Sequence, residues 1–206
     1  MDMERWLSAW LQLLVLFPVA ASCYLPAKNQ MRYTPLKTAG ICFALLFPCS
    51  LLGAWLHGTL EVGANTVFLL CLVLFFFLYR YTLKTDLPRA LAIFVGVCAV
   101  QTFPLQFACA FDAWLHPMSG AGQLSQEAAL LQLILACLMP VAAARPSLRY
   151  SAWAVDNLDI PKVWHSAVAL SAVFLIFNVL ALPDSYSTLY TGRMYTLFLV
   201  FDSGAL

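Results

Sequence analysis

The side chains able to do chemistry here are three histidines, seven cysteines and a few amides and acids, and their spacing points away from catalysis. His57-Gly58-Thr59-Leu60-Glu61 lacks the His-Glu-x-x-His spacing that sets two imidazoles on one helical face around a metal. His57, His116 and His165 share no helical face at ligand spacing, so no metal site is expected. Cys23, Cys42, Cys49, Cys71, Cys98, Cys109 and Cys137 form no Cys-x-x-Cys pair and lie in or beside apolar stretches, where a thiol serves as a small hydrophobe. An intramembrane peptidase would need a Ser, Cys or acid pair held against a base, and the spacing offers no obvious set. The expectation is a chain with no enzymatic activity and no cofactor.

Two groups suit binding better. Asp112, Trp114 and His116 offer an acid, an aromatic ring and a titratable imidazole on one connection, 111–127. Gln101 and Gln106 flank Pro104, whose ring removes a helix hydrogen bond and leaves a carbonyl for a neighbour or water to satisfy. A polar ligand pocket at this kink and amides that tie helices together are both open readings, and Gln12, Gln132 and Asn178 could complete either. Pro18, Pro48 and Pro104 each follow a Phe. They are candidates for a signalling hinge, or ordinary prolines of membrane helices.

These residues are carried by a chain for which water is a poor solvent. It is 63% hydrophobic and 10% charged, whereas soluble domains are about half apolar and about a quarter charged. A net charge of +1 gives no basic face for nucleic acid. Apolar runs at about 6–25, 38–55, 62–79, 90–110, 128–144 and 163–182 predict six helical crossings, because a spanning segment must satisfy its backbone internally and these lack the alternation of membrane strands. A partial seventh run, 194–206, has thirteen residues where about 20 are needed. The whole of 1–206 reads as one transmembrane domain.

Basic residues orient the crossings. Of the eleven Lys and Arg, nine lie on alternate connections: Lys28, Arg32 and Lys37; Arg80, Lys84 and Arg89; Arg145, Arg149 and Lys162. Cationic loops stay in the cytoplasm, so the amino terminus and the connection 111–127 are expected outside. The expected class is an all-α, multi-pass transmembrane helical bundle, with lipid as its principal partner.

Several strings, in this order, carry a resemblance: Tyr24-Leu25-Pro26-Ala27-Lys28-Asn29-Gln30, Phe94-Val95-Gly96-Val97-Cys98-Ala99, Phe111-Asp112-Ala113-Trp114-Leu115-His116-Pro117 and Leu158-Asp159-Ile160-Pro161-Lys162-Val163-Trp164. Together they resemble the membrane-embedded sensor region of GHKL-type bacterial sensor histidine kinases, related in layout to peptide-pheromone receptor kinases. The resemblance implies a sensory input module of a two-component system that detects an external or membrane-dissolved peptide or small molecule. It also implies a homodimer, and a phospho-accepting helix and ATP-binding domain that this chain lacks. The alternative is a small-solute transporter or channel subunit. For the receptor, the ligand-binding candidates are Asp112, Trp114, His116, Gln101 and Gln106.

Overall fold

Backbone amides in an apolar surround need partners inside their own segment, and helices supply them. The computed structural model describes residues 3–60, 64–116 and 124–180, and within them the chain is helical apart from turns and one isolated antiparallel bridge, Met31 with Leu83. The helices are α1 (Met3–Leu14), α2 (Leu16–Tyr24), α3 (Pro35–Leu60), α4 (Ala64–Thr82), α5 (Leu87–Val100), α6 (Thr102–Leu115), α7 (Gln126–Pro146), α8 (Ala152–Asn157) and α9 (Pro161–Leu180). Among the described residues, four rods are long and apolar enough to cross a membrane: Trp6–Tyr24, Pro35–His57, Leu87–Leu115 and Gln126–Asn157. A shorter apolar stretch, Thr66–Thr82, lies within α4, and α9 covers most of the run expected at 163–182. The expected partial crossing at 194–206 lies outside the described residues.

Beside an apolar core the interior holds several polar side chains, and many large apolar ones face outward. Gln101, Gln106, Asp112, Gln132 and Asn178 are buried, while Leu70, Phe77, Leu138, Leu170 and Phe177 face outward. Lipid tails tolerate the outward apolar surface, and two of the inward amides, Gln106 and Asn178, find each other. Packing in the interior rests on an aromatic cluster in which Tyr24 meets Tyr79 edge-on at 5.2 Å, with Phe75 and Phe94 alongside. Tyr24 Oη and Thr82 Oγ1 lie 2.6 Å apart, and Tyr79 donates to the Cys23 carbonyl at 3.2 Å.

The three basic connections, distant in sequence, meet at one end of the bundle. Arg32 N–H donates to the Thr82 carbonyl and Lys84 N–H to the Gln30 carbonyl, both at 2.8 Å. Asn29 Nδ2 and Gln30 Nε2 donate to the two oxygens of Asp156 at 2.6 and 2.7 Å. Arg89 pairs with Asp159 at 2.7 Å and lies over the Trp164 ring. Contacts elsewhere gather the other set of connections: Ser8 Oγ donates to the Leu124 carbonyl at 2.6 Å, and Ser125 N–H donates to Asp112 at 3.3 Å.

Three expectations are revised. The connection 145–162 is largely helical: α7 passes through a π turn, Ser147–Ser151, into α8, so the expected crossing 128–144 is part of a 32-residue rod. At 1.5 Å per residue that rod is about 48 Å long, more than the roughly 30 Å of a hydrocarbon core. The connection expected at 111–127 begins later, because α6 continues to Leu115 and places Asp112 inside the helix. Finally, the Phe-Pro pairs differ. Helix breaks fall at Val15 and Gln101, three residues before Pro18 and Pro104, whereas α3 runs unbroken through Pro48.

Candidate functional site

Each proline that breaks its rod leaves the carbonyl four residues earlier without its usual N–H donor, namely Leu14 for Pro18 and Val100 for Pro104. The two breaks sit in rods that pack on each other, since α2 lies against α5. Across this contact Gln101 Nε2 donates to Ser22 Oγ at 3.4 Å, while Ser22 Oγ donates its own hydrogen to the Pro18 carbonyl at 2.8 Å. The serine hydroxyl has only lone pairs left for Gln101, so the amide must turn its nitrogen to Ser22. Its oxygen, Oε1, is buried without a hydrogen-bond partner among the described residues, in a side chain only 7% exposed. A buried, unmatched carbonyl costs about 1–3 kcal/mol.

That amide lines a cleft of about 420 Å³ between α2, α5, α7, α8 and α9. Ala92, Gly96, Ala143, Ala154 and Ala167 line it together with larger apolar side chains, among them Leu25, Ile93, Val97 and Met139. Ser147 and Ser151, the two ends of the π turn, form one edge, and Val155 and Trp164 close the end nearest the basic connections. Val100, Ala143 and Ser151 are exposed and mark the mouth, between α5 and α7. Among the described residues, no charged side chain lines it. The size and the ratio of apolar wall to polar group are those of a small-molecule pocket, where roughly 300–1,000 Å³ is usual.

The other expected site residues are placed elsewhere. Gln106 donates to Asn178 Oδ1 at 2.5 Å, and Asn178 Nδ2 donates to the Phe174 carbonyl at 2.8 Å, so this amide pair ties α6 to α9. Gln12 donates to Ser8 at 3.3 Å within α1. Gln132 Oε1 is also buried without a partner among the described residues, yet Gln132 is not part of the cleft wall. Asp112 is 1% exposed: one oxygen lies 3.2 Å from His116 Nδ1, and the other accepts from Ser125 N–H, whose own Oγ caps α7 by accepting from Ala128 N–H. Trp114 is 66% exposed and stacks loosely on Phe111. The acid and imidazole thus meet each other while the indole points away. Of the expected binding residues, Gln101 alone lines the cleft.

Ser22, Ser147, Ser151 and Trp164 were not among the expected site residues. The nearest readable signal was Pro146, whose ring perturbs a helix just before Ser147–Ser151; π turns such as this one often mark functional sites. Compared with protein-family models, with curated proteins and with solved structures, the chain matches none. The chemistry of the cleft therefore rests on its own residues.

Proposed function

We propose that this chain is the membrane-embedded input module of a sensory signalling protein, multi-pass in a bacterial cytoplasmic membrane, with six crossings, its amino terminus outside and its basic end inside. Its ligand reaches the cleft from within the bilayer, through the mouth between α5 and α7. The single observation that carries this reading is the reach of the cleft. It runs from Gln101 at the Pro104 break to Val155 on α8, one residue from the Asp156 carboxylate held by Asn29 and Gln30. A molecule lodged there touches both the kinked rod and the helix at the basic end. Binding one packing of α8 better than another is what a ligand must do to shift a conformational equilibrium. The resemblance to GHKL-type sensor regions agrees with such a role.

Filling the cleft by mutation tests the coupling. Ala143 is exposed at the mouth, so Ala143→Phe can plug the space without burying a clash. In full-length protein in lipid nanodiscs, the plug should change amide hydrogen exchange at 152–157 and 28–30 several-fold and leave 66–82 as before. Exchange unchanged at the basic end, or protein-dependent movement of solute across proteoliposomes, would overturn the receptor reading.

A further inference from the structure

We propose that the antiparallel bridge between Met31 and Leu83 is a site for the phosphate of an anionic phospholipid, with Arg32, Lys37, Lys84 and the Tyr81 hydroxyl as its binding groups. The site requires that the chain lie in a membrane and is independent of the receptor reading.

Backbone pairing builds the site. Arg32 N–H donates to the Thr82 carbonyl and Lys84 N–H to the Gln30 carbonyl, so two connections distant in sequence run side by side. Side chains alternate along such a pair. Leu83 is fully buried and Met31 partly so, whereas Arg32 and Lys84 on either side of them are exposed. Arg32 is steadied by Nε, which donates to the Leu83 carbonyl at 2.7 Å and leaves the terminal N–H groups of the guanidinium for another acceptor. Tyr33 Oη donates to Tyr81 Oη at 3.4 Å, so Tyr81 keeps its own hydrogen to give. Lys37 lies 4.9 Å over the Tyr33 ring and brings a third cation to the same place.

Charge and surroundings select the occupant. Among the described residues, Arg32, Lys37 and Lys84 have no ion-pair partner: Asp159 is taken by Arg89, Asp156 by Asn29 and Gln30, and Asp86, exposed nearby, pairs with none of the three. Three cations and a phenol favour an acceptor of net negative charge, and a zwitterionic headgroup would bring its own cation among them. The acceptor comes from the bilayer, because an apolar path leads to the site. Leu70, Leu74, Phe77 and Tyr81 are exposed at helical spacing along one face of α4, and the last of them is a phenol of the kind that settles at the headgroup boundary. Acyl chains lying on Leu70, Leu74 and Phe77 set the phosphate beside Tyr81 and Lys84.

Native mass spectrometry of the full-length protein released from mixed micelles reads the site directly. Dioleoyl phosphatidylglycerol and dioleoyl phosphatidylcholine, equal in their chains and different in charge, are titrated separately at fixed ionic strength. The first phosphatidylglycerol should bind about tenfold tighter than the first phosphatidylcholine, or more. Lys37→Gln/Lys84→Gln removes two exposed ammonium groups that make no hydrogen bond among the described residues, so the fold persists. It should weaken phosphatidylglycerol binding about tenfold or more, since each cation near an anionic lipid surface contributes roughly fivefold. Arg145→Gln/Arg149→Gln removes equal charge from the same end of the bundle and should leave that first binding event unchanged. Equal binding of the two lipids would overturn the proposal, and equal losses from the two double variants would reduce the site to diffuse attraction and overturn it too. Displacement of the lipid by millimolar inorganic phosphate would overturn the phospholipid as the occupant.

Discussion

Gly53 lies where α3 meets both α1 and α4, and a Cβ added there would sit 2.7 Å from Val67 Cγ1 and 2.8 Å from a methyl of Leu13. Both neighbours are buried, so the helices would have to separate. Gly53→Ala should cost about 1–3 kcal/mol, as overpacking of a tight interior does. At Gly40 nothing lies within 4 Å of the added carbon, and Gly40→Ala should be neutral or slightly stabilising. Reversible unfolding in mixed micelles separates the two. Asp112 makes a comparable contrast with Trp114. Removing the carboxylate strands Ser125 N–H and His116 Nδ1 near the start of α7, so Asp112→Ala should lose about 1–3 kcal/mol in the same assay. Trp114→Ala, at an exposed side chain, should stay within about 0.5 kcal/mol. A loss from Trp114→Ala as large as that from Asp112→Ala would contradict the placement of these two side chains.

Among the elements, the prolines show what local sequence does and does not specify. Pro18, Pro48 and Pro104 carry the same preceding Phe, and only the first and last interrupt their rods. Gln101, at the second break, meets Ser22, which lies one turn after Pro18 and seven residues after the break at Val15. Pro104→Ala gives Val100 back a backbone donor and should straighten α5 into α6, slowing amide exchange around the break at Gln101 several-fold, with folding retained. Pro48→Ala should leave that exchange unchanged. The π turn and α8 make a second case. Polar and aromatic residues between Arg145 and Lys162 read as a solvated loop, and no capping residue announces α8, whose preceding Ser151 makes no side-chain cap. Its stability comes from tertiary partners, chiefly the Asp156 carboxylate between Asn29 and Gln30 and the packing of Val155 beside Trp164. Asp156→Ala should therefore speed amide exchange at 152–157 several-fold without changing that of α4.

For the molecule as a whole, the long apolar rods were legible because their lengths and composition leave a helix as the one way to satisfy the backbone. The grouping of connections was legible too. Alternating basic segments predict a shared end, and Arg32, Asn29, Arg89, Asp156 and Asp159 are joined there by hydrogen bonds across long sequence separations. The site was legible only in part. Gln101 drew attention through its place beside Pro104, but the cleft depends on helices α7 to α9 whose arrangement no single segment encodes. Burial of Asp112 was hidden by an uncertain helix end, although its spacing to His116, one helical turn, was a usable hint. All of the functional reading depends on which side of the membrane the basic end faces. Tyr150 is exposed there, beside Arg149, and offers a reporter position. In a variant whose natural cysteines are replaced, Tyr150→Cys should resist a membrane-impermeant maleimide applied to intact cells and react fully once the membrane is opened. Rapid labelling of that cysteine in intact cells would place the basic end outside and contradict the account.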